Sequence, residues 1–129
     1  MKHALIKQKR PLFKGQRAKR TGLNKTEEQY AEQLTIRQHA GEIQWYRWEG
    51  IKLRVTDPTV AKSLQTTWYT PDFLVMSADG TLECHEIKGG FAVEKDILRL
   101  KAAASHFPFQ FVLARKLPKS QGGWQVEVL

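Results

Sequence analysis

The chain has 129 residues, of which 41% are hydrophobic, and a formal net charge of +8 at pH 7. This length favours a single domain with a modest core. With Cys84 as its one cysteine, the chain forms no intrachain disulfide, which favours a reducing, cytoplasmic setting. No apolar run approaches the roughly 20 residues of a membrane helix, and the basic N-terminus lacks the apolar segment of a signal peptide. We therefore expect no membrane partner.

The positive charge is concentrated at the N-terminus. Residues 1–25 contain nine Lys or Arg residues and no acidic residue, whereas the rest of the chain has a net charge of −1. This pattern predicts a flexible basic arm over residues 1–22 that contacts DNA phosphates, followed by one domain over residues 23–129. The alternative is a solvated tail without such a role. The residues expected to bind nucleic acid are Lys7, Lys9, Arg10, Lys14, Arg17, Lys19, Arg20, Lys25 and, further along, Lys101.

A first helix is predicted over residues 24–39. Either Asn24 or Thr26 would cap it, and Gln29, three residues after Thr26, completes a capping-box pattern. The apolar stripe of this helix includes one acidic residue, Glu27. A carboxylate on a core-facing side needs a partner, so we expect Glu27 to belong to a functional site. The alternative is a half-exposed first-turn acid that interacts favourably with the helix dipole.

Two strands are predicted next, over residues 42–48 and 51–55, followed by a polar loop over residues 56–67. The first strand carries three aromatic residues, Trp45, Tyr46 and Trp48. These rings would either form a platform on which bases stack or, as is more common, cover the core of a small sheet.

A β-hairpin is predicted over residues 69–88, because Asp79-Gly80 separates two apolar-rich runs, 69–76 and 81–88. A second helix follows from about residue 92 to residue 106, and then two strands, over residues 109–115 and 124–129. The order is αβββαβ-like. It predicts an α/β fold with a central mixed β-sheet flanked by helices.

Three polar residues of the hairpin lie where the sheet should pack. Glu86 and Lys88 are two residues apart, so both side chains leave the same face of their strand. Asp72 lies near the start of the partner strand, and an antiparallel hairpin brings these ends together. Two carboxylates and a lysine on one patch suit Mg²⁺ or Mn²⁺, which take oxygen ligands. The alternative is a surface ion pair between Glu86 and Lys88.

Pro71-Asp72, thirteen intervening residues and Glu86-Ile87-Lys88 resemble the PD-(D/E)XK nuclease motif. The wider pattern is similar to a family of small phage and prophage proteins assigned to that nuclease superfamily. It covers roughly residues 23–129 and includes the segments NKTEEQYAEQL, YTPDFLV, ECHEIKGG and KAAASHFPFQFVL. This resemblance implies a restriction-endonuclease-like core and a metal-dependent DNA endonuclease acting in the cytoplasm of a bacterial host.

The resemblance also implies roles for individual residues. Asp72, Glu86 and the Ile87 carbonyl would hold Mg²⁺ or Mn²⁺. Lys88 would orient or deprotonate the attacking water or stabilise the phosphorane, and Glu27 would hold a water or a second metal. Two alternatives stay open. One is a Holliday-junction resolvase, which would need a homodimer to cut two strands symmetrically. The other is a non-catalytic nucleic-acid-binding protein on a nuclease fold.

Overall fold

The computed structural model describes residues 22–56, 66–89 and 94–129. Its helices and strands are, in chain order, α1 (Lys25–His39), β1 (Ile43–Trp48), β2 (Leu53–Arg54), β3 (Trp68–Tyr69), β4 (Phe73–Ser77), β5 (Leu82–Lys88), α2 (Glu94–His106), β6 (Gln110–Lys116) and β7 (Trp124–Val128). Residues 1–21 of the predicted basic arm, most of the predicted polar loop and the residues just before α2 lie outside this description. Within the described ranges, neither helix is long and apolar enough to span a bilayer.

Five strands form the central sheet, in the order β1-β4-β5-β6-β7. The β5–β6 pair is parallel and the other three pairs are antiparallel. A parallel pair needs a crossover connection, and α2 lies in the segment that connects these two strands. Strands β2 and β3 form a separate two-stranded antiparallel sheet. The predicted α/β class with a mixed central sheet is confirmed.

Alternate residues of the central strands pack on opposite faces of the sheet, as the period of two requires. One face meets α1, and its buried residues are Tyr30, Leu34, Ile43, Phe73, Val75, Ile87 and Ala114. The other face meets α2 and the small sheet, and its buried residues are Leu53, Tyr69, Leu74, Cys84, Leu100, Ala103, Phe111 and Leu113. The central sheet is thus covered by a helix on each face.

The predicted first strand of the hairpin, residues 69–76, is divided in the structure. Tyr69 pairs with Leu53 in the small sheet, and β4 begins only at Phe73. Pro71 lies between them, lacks a backbone N–H and restricts the residue before it. Asp72 is held by its backbone, because its carbonyl accepts a 2.8 Å hydrogen bond from the Glu49 N–H. The interruption leaves Asp72 outside both sheets.

The N-terminus of α1 is capped by Asn24, the first of the two predicted alternatives. The Asn24 side chain accepts from the Glu27 N–H at 2.8 Å, and the Asn24 N–H donates to Glu27 Oε1 at 3.1 Å. This reciprocal pair is a capping box formed by Asn24 and Glu27 rather than by Thr26 and Gln29.

The aromatic residues of β1 cover the two cores, which agrees with the predicted packing role for these rings rather than with the base-stacking platform. Trp45 packs on the α2 face, whereas Tyr46 and Trp48 pack on the α1 face. The Tyr46 hydroxyl also shares a 2.7 Å hydrogen bond with Thr35 Oγ1. These contacts occupy the rings within the fold, so they do not support a base-stacking role for this strand.

Gly50, in the link between β1 and β2, gives a test of this packing. An added Cβ would lie 2.8 Å from the Arg47 Cβ and 3.1 Å from the Leu74 Cβ, two atoms fixed to the backbone. Gly50→Ala should therefore lower the free energy of unfolding by about 1–3 kcal/mol. Gly22→Ala is the matched control, because no described atom lies within 4 Å of its Cβ. Urea denaturation measures both, and equal midpoints for the two variants would contradict the packing.

Candidate functional site

Three elements meet at one end of the central sheet. The first turn of α1 carries Glu27, Asp72 directly precedes β4, and Glu86 and Lys88 end β5. Gly89 marks the close approach of these elements, because a Cβ there would lie 3.8 Å from Thr26 Oγ1 of α1. The fold thus brings together residues that are far apart in the sequence.

Asp72 is held against the end of β5. Its Oδ2 accepts a 2.8 Å hydrogen bond from the Ile87 N–H. The pKa of Asp72 is raised to about 8, chiefly by burial, then by the charge of Glu86 and more weakly by that of Glu27. The hydrogen bond from Ile87 lowers this pKa but does not cancel the increase. A carboxyl group this close to other carboxylates keeps its proton at neutral pH unless a cation offsets the charge.

Glu86 is buried, and each of its carboxylate oxygens has a partner. Oε1 accepts a 2.6 Å hydrogen bond from the Tyr69 hydroxyl, and Oε2 lies 2.9 Å from Lys88 Nζ. The ion pair between Glu86 and Lys88 therefore exists, but it is not on the surface, because the two side chains are only 9% and 15% exposed. Burial, followed by the charge of Glu86, raises the pKa of Tyr69 far above its usual range. Tyr69 thus stays a hydrogen-bond donor and fixes the orientation of Glu86.

Glu27 is a first-turn acid of α1 that lies near Asp72, and its role in a functional site stays a prediction. Its carboxylate completes the capping box of α1, and its charge contributes to the raised pKa of Asp72. The other acids of this helix, Glu28 and Glu32, are exposed and line a separate groove. Glu27 is therefore the acidic residue of α1 that the structure brings to Asp72.

A buried polar chain on the other face of β5 holds α1 in place. The Tyr30 hydroxyl lies 2.8 Å from His85 Nδ1, and His85 Nε2 lies 2.8 Å from Glu83 Oε1. Tyr30 lies three residues after Glu27, on the neighbouring part of the helix face. This contact fixes the helix that carries Glu27 against the strand that carries Glu86.

An open pocket of about 320 Å³ lies beside Glu86, and its lining residues are Trp68, Tyr69, Thr70, Glu86 and Arg99. Arg99 is the cation that α2 contributes to this lining, whereas the predicted Lys101 is exposed and is not among the lining residues. Two positions along a helix turn a side chain by roughly 200°, so Arg99 and Lys101 project in different directions. Trp68, Tyr69 and Arg99 line this pocket beside Glu86, and none of them was among the residues predicted for the site.

The donor set suits a cation held by few protein ligands. In the part of the chain that the structure describes, no three Asp, Glu, His or Cys side chains converge into a preformed metal cage. Mg²⁺ commonly uses one or two carboxylates and completes its shell with waters and substrate phosphates. Asp72 and Glu86 provide two such carboxylates. After burial, the charge of Glu86 is the next cause of the raised pKa of Asp72, and a bound cation would offset that charge.

The other candidate residues differ in their distance from this centre. Ile87 donates its N–H to Asp72, and a role for its carbonyl stays a prediction. Lys25 is exposed at the start of α1, whereas the arm residues from Lys7 to Arg20 lie outside the described residues. Cys84 is buried, and burial raises the pKa of its thiol to about 12, which rules it out as a ready nucleophile at neutral pH.

Comparison with known proteins gives no match to this chain among family models, curated proteins or solved structures. The function of the site is therefore inferred from its own geometry and chemistry.

The raised pKa of Asp72 predicts how stability depends on pH. Between about pH 4 and pH 8 the native protein keeps a proton that the unfolded chain has released. The free energy of unfolding of the metal-free protein should therefore fall as pH rises, by up to about 1.4 kcal/mol per pH unit from this group. Asp72→Asn should remove that contribution, because Asn keeps an acceptor for the Ile87 N–H but carries no charge.

Urea titrations in EDTA at several pH values measure this contribution. Asp79→Asn is the matched control, since hydrogen bonds from Ser77 and Thr81 lower the pKa of this exposed carboxyl. Asp79 therefore titrates below the range of about pH 4 to pH 8, and the control should show the wild-type fall in the free energy of unfolding across that range. An equally steep fall in Asp72→Asn would show that another group causes the dependence.

Proposed function

We propose that this chain is a Mg²⁺- or Mn²⁺-dependent DNA endonuclease with a restriction-endonuclease-like core. The observation that supports the proposal is the convergence of Asp72, Glu86 and Lys88 at one end of the sheet, with Glu27 beside them. The spacing that resembles the nuclease motif is thus accompanied by the proximity that such chemistry needs. We place the protein in the cytoplasm of a bacterial host, with DNA as its partner.

In this proposal, Asp72 and Glu86 hold the cation, and the Ile87 carbonyl is a further ligand. When bound, the cation would lower the pKa of a water molecule that it coordinates and would offset negative charge on the phosphate. The protein contributes orientation, because Tyr69 holds one oxygen of Glu86 at 2.6 Å and the Ile87 N–H holds one oxygen of Asp72 at 2.8 Å. These two hydrogen bonds keep the carboxylates of Asp72 and Glu86 oriented toward a single bound cation.

Lys88 lies beside these carboxylates, with its ammonium 2.9 Å from Glu86 Oε2. From this position the ammonium orients the attacking water or stabilises negative charge on the phosphoryl group, whereas accepting the proton of the water would require the neutral amine. An ammonium fixed at the site before the reaction stabilises developing charge better than one that must reorganise. Glu27 holds a water near Asp72, and Lys25, Lys101 and the arm contact DNA phosphates.

Cleavage assays with labelled linear duplex, single-stranded and four-way-junction DNA test the proposal. Cutting should require Mg²⁺ or Mn²⁺ and stop with EDTA. Even indirect partners of metal ligands commonly contribute 10- to 100-fold, so Asp72→Asn and Glu86→Gln should each reduce the rate by at least about 100-fold. Asp79→Asn makes the same chemical change in the exposed turn of the hairpin and should cut at the wild-type rate. Undiminished cutting by either site variant would overturn the proposal.

Tyr69→Phe tests whether the orientation of Glu86 matters. It removes the hydroxyl that donates to Glu86 Oε1 and keeps the ring. We expect a 10- to 100-fold loss, on the order typical of residues that orient a metal ligand, and a higher Mn²⁺ concentration at half-maximal rate.

Tyr46→Phe is the matched control for this variant. It removes a hydroxyl whose partner is Thr35 on the α1 face. Tyr46→Phe should lose about 1 kcal/mol of stability, and Tyr69→Phe about 1.5–3 kcal/mol, because its hydroxyl donates to a charged group. Only Tyr69→Phe should change the rate and the Mn²⁺ dependence. Equal effects of the two variants on cleavage would mean that Tyr69 contributes to the fold alone.

A further inference from the structure

The small sheet of β2 and β3 presents an aromatic ring together with two cations. Trp68 is 44% exposed. Lys52 Nζ lies 5.0 Å from the centre of its ring, and the Arg54 guanidinium lies 5.9 Å from it. Arg54 is the antiparallel partner of Trp68 and donates a 3.1 Å hydrogen bond to Thr66 Oγ1, which fixes it there. We refer to Lys52, Arg54 and Trp68 as the Trp68 cluster.

The Trp68 cluster adjoins the candidate site. Trp68 and Glu86 line the same pocket, and Arg99 of α2 adds a third cation to that lining. The next residue, Tyr69, is buried and donates to Glu86. Because successive side chains of a strand point to opposite sides, β3 presents one aromatic residue to solvent and the other to the carboxylate. One peptide unit therefore links the exposed ring to the residue that orients Glu86.

The exposure of Trp68 differs from that of the other tryptophans. Trp45, Trp48 and Trp124 all pack against one of the two cores. Trp68 instead keeps 44% of its surface exposed and lines the pocket beside Glu86. Lys52 and Arg54 lie over its ring, and the ring remains partly accessible. Proteins that bind single-stranded nucleic acid combine accessible aromatic rings, on which bases stack, with cations that bind the flanking phosphates.

We infer that the substrate of this site carries an unpaired base beside the scissile phosphate and that Trp68 stacks on that base. Lys52, Arg54 and Arg99 bind the neighbouring phosphates. The inference rests on the proposed nuclease function and names its substrate class, which is single-stranded DNA or a single-stranded segment of a larger DNA. In the interior of an intact duplex both faces of each base are covered by neighbouring pairs, so the ring has no face to stack on there.

Binding without cleavage tests the inference directly. In EDTA, fluorescence anisotropy compares a labelled 15-nucleotide strand with a blunt duplex of the same sequence. Trp68→Leu should weaken binding of the single strand by at least about fivefold and leave duplex binding unchanged. Trp68→Phe keeps an aromatic face and should retain most of the affinity. Because the ring is 44% exposed and its cation–π contacts are worth only about 0.5–1 kcal/mol each, both variants should remain folded, which urea denaturation checks.

The cations are tested through the dependence of binding on salt. Arg54→Gln and Arg99→Gln should each reduce the slope of log K against log salt for the single strand by about 0.7. Arg37→Gln is the matched control. It removes an exposed charge near the C-terminus of α1, roughly 15 Å along the helix from Glu27, and should leave the slope unchanged.

The outcomes separate this inference from the proposed function. If Trp68→Leu binds the single strand as the wild type does, or loses equal affinity for strand and duplex, the inference is overturned whatever the cleavage assays give. If the protein prefers the single strand and loses that preference in Trp68→Leu, but cuts no DNA with Mg²⁺ or Mn²⁺, the nuclease proposal fails. The inference that Trp68 binds single-stranded DNA would then still hold. Cutting restricted to the blunt duplex would also overturn the inference.

Discussion

A carboxylate buried on a central strand, that of Glu86, sets the conditions for the structure around it. Burying a charge is unfavourable unless it is paired and hydrogen-bonded. Here the partners come from two parts of the fold, the Lys88 ammonium from the same strand and the Tyr69 hydroxyl from the small sheet. The small sheet, which has only two residues in each strand, is thus tied to the centre of the molecule by this bond.

The opposite face of β5 has an equivalent polar connection. His85 lies between Tyr30 and Glu83, so α1 is fixed by hydrogen bonds as well as by apolar packing. Both connections involve residues next to one another on a single strand. Glu27 approaches Asp72 because one face of β5 holds α1, and Tyr69 approaches Glu86 because the other face holds β3. The site therefore depends on the polar side chains of β5 having hydrogen-bond partners on both faces of the strand.

The parts of this arrangement that follow local rules could be predicted from the sequence. The period of two placed Glu86 and Lys88 on one face, and Asp79-Gly80 located the turn that brings Asp72 near them. The contacts of Tyr69 and Arg99 could not be predicted in this way. They arise from packing between distant elements, which periodicity does not encode. The Thr70-Pro71 pair was the available signal that Tyr69 leaves the hairpin. Asn24 prevailed over Thr26 as the cap because its side chain and that of Glu27 satisfy each other's backbone groups.

The burial of Cys84 has a practical consequence. Cys84 lies on the same face of β5 as Glu86, two residues away, and it is the chain's single cysteine. A thiol with a pKa of about 12 is almost entirely unreactive at neutral pH, and here it is also shielded by the core. Alkylation of this thiol therefore requires transient opening of the layer between the sheet and α2. The protein thus carries an intrinsic chemical reporter of local unfolding next to its candidate site.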